Sequence, residues 1–272
     1  MRPTLTARAL RVAAILFVLL LFMAPIAWIL ATAFKTPRDV YALSVLFQPT
    51  LENFRAALGP PYLLGARTLN SLVVTGLTLL LSLPIATLAA YVFSRLRLPG
   101  GNVWPLGVLA TQFIPGVIII IPLFIVFRNA GLLDTRIALV IANMSFVVPY
   151  AIWMIKGFID AIPPDMEEAA QIDGASRLRV LWDVVVPMAL PGIATAAIFC
   201  FVVSWNEFFY ALVLSRDEAV TLQVGLMFAR TERGDAWEIM AAIGLTIMLP
   251  MLLLSVLVQR YFVKGLTAGA VR

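Results

Sequence analysis

Residues 167–187 read EEAAQIDGASRLRVLWDVVVP. This polar, acid-rich island of about twenty residues interrupts a chain that is otherwise a succession of long apolar runs. Upstream, Pro163-Pro164-Asp165 has the grammar of a helix start, with prolines before a capping Asp and acids in the first turn. Met166, Ala169 and Ala170 fall at i, i+3 and i+4, so they are expected to share a face on which the alanines permit close approach by another protein. Gly174 stands where that helix would end, and glycine accepts the left-handed C-terminal conformation. A second short helix over Ser176 to Asp183 then leads to Pro187. The expected product is a helix–turn–helix lying on a membrane surface.

The flanks decide what kind of surface that is. The chain is 62% hydrophobic and 13% charged, with a mean hydropathy of +0.98, far from the balance of soluble globular domains. A bilayer core of about 30 Å needs about twenty helical residues. Six stretches qualify: Leu10 to Phe34, Leu69 to Phe93, Val103 to Phe127, Ile137 to Phe158, Met188 to Leu214 and Ile239 to Phe262. Backbone amides in lipid must be satisfied internally, which makes the spans helices and predicts an all-α polytopic membrane protein of about six spans. Pro84, Pro115, Pro122, Pro149, Pro191 and Pro250 interrupt five of them, so bent helices are expected. Arg2, Arg8 and Arg11 precede the first run, which ends Ala31-Thr32-Ala33 in the manner of a signal peptide. It is longer than a signal h-region of about 7–15 residues and reads as a retained anchor.

Composition also excludes. Without histidine there is no imidazole acid–base chemistry and no His-containing metal site. The single cysteine, Cys200, permits no intrachain disulfide. The net charge of +5 comes from Lys and Arg scattered around apolar spans, which speaks for membrane-flanking charge rather than nucleic-acid binding. No G-x-x-x-x-G-K-[ST] occurs, so the chain has no phosphate loop of its own. No clustered nucleophile, base or metal set supports an enzyme.

Positive charge places both termini in the cytoplasm only by a slight bias; the local signals are the three N-terminal arginines and the short loop bearing Arg95 and Arg97. Lys35 to Thr68 and Ser215 to Glu238 are then sizeable outer segments. Asn206 and Glu207 form the strong polar pair of the fifth span. Glu207 lies 19 residues after Met188, about 28 Å of helix rise. Either it lines a pathway, as buried ionisable groups often do, or it sits at the outer interface. Trp205, Phe208 and Tyr210 beside it could stack on a solute or anchor the interface.

The spacing of the island is E-A-A at 168–170, three residues, Gly174, nine residues, Val184, one residue, Val186-Pro187. It resembles the cytoplasmic EAA loop by which bacterial ABC importer permeases dock onto their ATPase. Val184 and Val186 replace the usual Ile and Leu, while Asp173-Gly174-Ala175 is similar to a common DGA. The resemblance covers nearly the whole chain: Asn70-Ser71-Leu72, Ala90-Tyr91 to Arg95, Gly131-Leu132-Leu133-Asp134-Thr135 and Ser204-Trp205-Asn206-Glu207-Phe208-Phe209 recur in the carbohydrate branch. The tail, Lys264-Gly265-Leu266-Thr267-Ala268-Gly269-Ala270-Val271, resembles that of the smaller maltose-type permease subunit.

The resemblance implies a type I ABC importer permease fold in a bacterial inner membrane. It implies ATPase coupling through Glu168, Ala169, Ala170, Asp173 and Gly174, and a tail contact with the ATPase through Gly265, Leu266, Thr267 and Gly269. It also implies a second, different permease, two ATPase subunits carrying ATP and Mg, and an extracytoplasmic solute-binding protein that delivers a sugar. No cofactor is expected in this chain. The expected organisation is residues 1–68 as first span and outer segment, 69–263 as permease core with the EAA loop at 163–187, and 264–272 as tail. Alternatives are an ABC permease for another solute, against which the tail and the SWNEFF segment speak, and an ion-driven secondary transporter. The latter would want midplane carboxylates and a repeated half, and neither is evident.

Overall fold

The computed structural model describes residues 5–231 and 234–269, with side chains for 8, 10–230 and 234–258. In chain order it consists of α1 (Leu5–Ala33), α2 (Pro37–Tyr41), α3 (Glu52–Leu58), α4 (Leu64–Arg95), α5 (Val103–Ala110), α6 (Gly116–Asn129), α7 (Arg136–Asp160), α8 (Asp165–Ile172), α9 (Arg177–Val180), α10 (Val186–Trp205), α11 (Phe209–Leu214), α12 (Leu222–Gly225) and α13 (Trp237–Gly269). A two-residue antiparallel pair, β1 (Arg230–Thr231) with β2 (Gly234–Asp235), precedes α13. Among the described residues five helical stretches are long and apolar enough to cross a bilayer. A sixth crossing is available only if α5 and α6 count as one broken span.

That break is the sharpest form of the bend expected where Pro115 interrupts the third span. The helix axis turns by 93° between Phe113 and Gly116. Pro115 disfavours helical backbone at the residue before it, and Ile114 is extended, with ψ 118°. Pro25, Pro84, Pro122, Pro149, Pro191 and Pro250 are by contrast carried inside helices.

The fifth span differs as well. Instead of a short helix ending at Asp183 and a new span from Met188, one helical run extends from Arg177 to Trp205. Pro187 would clash with the Asp183 carbonyl in a regular α-turn, and the turn at Leu181–Val185 widens to π geometry just before it. Beyond Trp205 the helix stops; Phe209–Leu214 is a separate short helix.

The contacts divide the chain into two compact units, residues 1–65 with 225–272 and residues 66–224. Within the first unit the last span packs with the first. In the first unit Ala33, Ala241 and Ala242 let α1 and α13 approach closely, Phe34 and Phe54 pack with ring centroids 5.3 Å apart, and the Asn53 amide donates to the carbonyls of Ala33 and Lys35 at 2.8 Å each. The most apolar stretch of α1 is entirely unburied within the unit.

The second unit holds two apolar clusters at opposite ends of α4. One gathers Ala86, Ala90 and Tyr91 with Ile155, Ile159 and Val185; the other gathers Val74 with Phe127, Leu139, Tyr210 and Leu214. Between α7 and α10 the approach is close enough that a Cβ on Gly192 would overlap the Phe158 side chain.

Candidate functional site

The island forms the expected hairpin at one end of the second unit. α8 begins at Asp165 after Pro164, which carries no side-chain cap bond; the first turn is closed instead by backbone N–H groups of Met166 and Glu167 donating to the carbonyls of Pro163 and Pro164. Asp165 is thus the first helical residue rather than the cap. The C-terminus is a Schellman closure: Gly174 N–H donates to Gln171 O and Ala175 N–H to Ala170 O, both at 3.0 Å. Gly174 has φ +87°, the left-handed region its identity predicts. Ser176 then caps α9, accepting from Arg179 N–H at 3.4 Å.

The two alanines of E-A-A face different ways. Ala170 is half-buried against the cluster around Tyr91, whereas Ala169 is exposed with Met166, Glu168 and Ile172. Ile172 is 85% exposed and Met166 50%. Leu178 and Trp182 are exposed on the following helical run, and Asp173 and Gly174 at the turn. The outer side of the hairpin is therefore an apolar surface edged by carboxylates.

What fastens this hairpin was missed from the sequence. Glu167, the acid before the E-A-A, is 4% exposed. Its Oε1 accepts from Arg95 Nε at 2.5 Å and its Oε2 from the Tyr91 hydroxyl at 3.2 Å. Arg95 Nη2 donates to the carbonyls of Ile159 and Ile162 at 2.8 and 2.7 Å. One guanidinium so joins the C-terminal turn of α4, the end of α7 and α8. A signal was present: Tyr91 and Arg95 are one turn apart on α4, and Glu167 and Ala170 share the inward face of α8.

At the other end of the unit three sequence motifs converge on the segment 215–223. Asn70 Nδ2 donates to the carbonyls of Glu218 and Val220 at 2.8 and 2.9 Å, and its Oδ1 accepts from Arg136 Nε at 2.8 Å. The Ser71 hydroxyl donates to Gln223 Oε1 and accepts from Leu222 N–H, both at 2.9 Å. Gln223 Nε2 in turn donates to the Trp205 carbonyl. Asp134, at φ +57°, receives the backbone N–H groups of residues 216–219 at 2.9–3.2 Å. Burial pushes the Asp134 carboxyl up, but the N–H groups of Arg216, Glu218, Ala219 and Asp217 outweigh it and hold the group below its usual range.

Asn206 and Glu207 occupy the same end. Asn206 is exposed, with Nδ2 donating to Val202 O at 2.8 Å. Glu207 is half-buried, and both its oxygens accept backbone N–H groups at the start of α11, from Tyr210 at 2.6 Å and Ala211 at 3.0 Å. Trp205 and Tyr210 are buried, Trp205 stacked with Phe201 and Tyr210 edge-on to Phe146, so neither offers a face to a sugar ring. Glu207→Gln keeps one acceptor and loses the charge and the second. It is expected to lower stability by about 1 kcal/mol, the scale of an N-cap loss. Thermal unfolding of the purified protein measures this. Loss of solute uptake with an unchanged melting temperature would instead mark a pathway role.

Residues 66–268 match the family of binding-protein-dependent transport system inner membrane components. The chain belongs to that family. It is a multi-pass membrane component of a transport system, and it is 32% identical over 264 residues (96% of this chain, 95% of the other) to the permease protein DasC of the diacetylchitobiose uptake system of Streptomyces coelicolor. It is 29% identical to the trehalose/maltose transport system permease protein MalG of Thermococcus litoralis over 276 residues, covering 100% and 99% of the two chains. Among solved structures it superposes on a chain of a bacterial ABC transporter involved in import of the acidic polysaccharide alginate, with a TM-score of 0.80, 25% identity and coverage of 96% and 99%. In this permease-family chain the tail contact set Gly265, Leu266, Thr267 and Gly269 lies where side chains are not described; the backbone of α13 is helical through Gly269.

Proposed function

We propose that this chain is one permease subunit of an ATP-driven, binding-protein-dependent sugar importer. It forms half of the translocation pathway beside a second, different permease. Two separate ATPase subunits bind ATP and Mg and hydrolyse the nucleotide, and this chain performs no catalysis. The observation that carries the reading is the hairpin built on α8, anchored to a bundle of membrane helices by one face and offering Met166, Glu168, Ala169 and Ile172 on the other. End-to-end similarity to permeases named for diacetylchitobiose and trehalose/maltose supports the sugar class.

In this reading the α8 end and both termini are cytoplasmic. Glu168, Ala169, Ala170, Asp173 and Gly174 form the ATPase-coupling element; Ala170 fits the helix to the bundle, Gly174 sets the turn, and Glu168 and Ala169 meet the partner. The tail, with Gly265, Leu266, Thr267 and Gly269, reaches the ATPase pair. The opposite end, with the segment 215–223, faces the extracytoplasmic binding protein. Asn206, held at that end by the break after Trp205, is the polar group proposed to face the pathway, with Glu207 fixing its turn. Closure of the ATPase dimer on ATP would favour one of two bundle states, and loaded binding protein would favour the same state.

The test is reconstitution in proteoliposomes with the ATPase, the second permease and the binding protein. Uptake of labelled disaccharides is expected only with internal ATP and loaded binding protein. Uptake by this chain alone under an ion gradient would refute the reading.

A further inference from the structure

Within the hairpin that would meet the ATPase, α8 itself is fastened inward by Ala170 and Glu167, two very different contacts, while Val180 and Leu181 of the following run are buried in the same cluster. Ala170 is an apolar contact, which has no directional preference and can slide. Glu167 is a buried, charge-assisted joint with fixed geometry. Its partner, Arg95, is bound at the same time to the carbonyls of Ile159 near the end of α7 and Ile162 just beyond it, and sits in the final turn of α4, where a cation also meets the negative end of the helix dipole. A buried pair of this kind adds little net stability over an apolar replacement, yet breaking it leaves an uncompensated charge. Such a pair suits a connection that must hold one geometry.

We propose that the Arg95–Glu167 pair is the joint that makes α8 move as one body with α4 and α7. Arg95 and Glu167 are then positioning residues for coupling ATP hydrolysis to transport, separate from Glu168, which faces the ATPase. The proposal rests on the reading of the chain as an ABC permease. α4 gives the joint its reach. From Arg95 to Asn70 it rises about 37 Å at 1.5 Å per residue. At that far end Asn70 and Ser71 grip residues 218–223 directly. A displacement of α8 thus arrives at the segment proposed to face the binding protein without crossing a flexible loop.

The experiment compares Glu167→Gln and Arg95→Lys with the parent in the complete reconstituted complex, reading ATPase pull-down, ATP hydrolysis and sugar molecules transported per ATP. Gln cannot offer Arg95 a charge. Lys keeps the charge but cannot bond Glu167 and two carbonyls in the same fixed fork. Both variants are expected to assemble with the ATPase and hydrolyse ATP, with transport per ATP falling about tenfold, inside the usual range of coupling between sites. If Glu167→Gln fails to assemble, Arg95→Lys alone decides the matter. An unchanged ratio, with only yield or melting temperature lowered, would mean the pair is merely structural and would overturn the proposal. Failure of the parent complex to transport with ATP would instead count against the functional reading itself.

Discussion

Glu168→Lys is expected to reduce ATP-driven uptake at least about tenfold while the protein still folds and inserts, because like-charge or unpaired-charge contacts at a protein interface cost several kcal/mol. Glu168 is exposed on the first turn of α8. A lysine there opposes the positive end of the helix dipole, which costs only about 0.3–1 kcal/mol. Asp165 and Glu167 remain in the same turn to offset it. The measurement is paired: pull-down of the ATPase by the variant, and uptake in proteoliposomes at equal amounts of inserted protein. Weakened pull-down with normal insertion is the expected pattern; normal pull-down and uptake would remove Glu168 from the docking surface.

The adjacent acids of this turn show where sequence reading stops. Glu167 and Glu168 are identical in type and neighbours in sequence, and a helix turns about 100° between them. One points to the bundle and the other to solvent, a choice made by Arg95 arriving from 72 residues away. Periodicity marks an inward face through Ala170, but the E-A-A spacing draws attention to the outward acid. Gly174 was legible because a left-handed closure leaves few alternatives to glycine.

The spans were legible for a related reason: lipid imposes length and apolarity on every crossing. Which of the prolines would break a span outright was not. Pro115 breaks a span whereas Pro122, one element later, is carried inside α6. Proline removes one donor at either position, and the surroundings decide whether the freed carbonyl is tolerated or the axis turns. The Asn70-Ser71, Leu133-Asp134-Thr135 and Trp205-Asn206-Glu207 motifs were visible as separate marks. That they converge on 215–223 required the fold, since the bonds that bring them there span 18, 82 and 148 residues. The pairing of α13 with α1 has the same origin, as nothing local in either helix names the other.

Gly192→Leu is expected to have the second large effect, on the fold itself. α7 and α10 approach where Gly192 faces Phe158, and a Cβ at Gly192 would overlap the ring and the Cβ of that side chain. Helix pairs in membranes gain stability from close backbone approach at small residues, with no hydrophobic drive to compensate for separation. Leucine therefore has to displace Phe158 or part the helices, and overpacking of this kind costs about 1–3 kcal/mol. Because α7 leads directly into the α8 hairpin and α10 continues from it, parting them also shifts the ends to which the hairpin is tied. The expected outcome is a lower melting temperature and reduced recovery of monodisperse protein. Phe158→Ala, which removes the overlapping ring and leaves the Cβ, is expected to restore part of the loss when combined with Gly192→Leu. Additive rather than compensating effects in that double-mutant cycle would show that the two residues do not share the space the structure gives them.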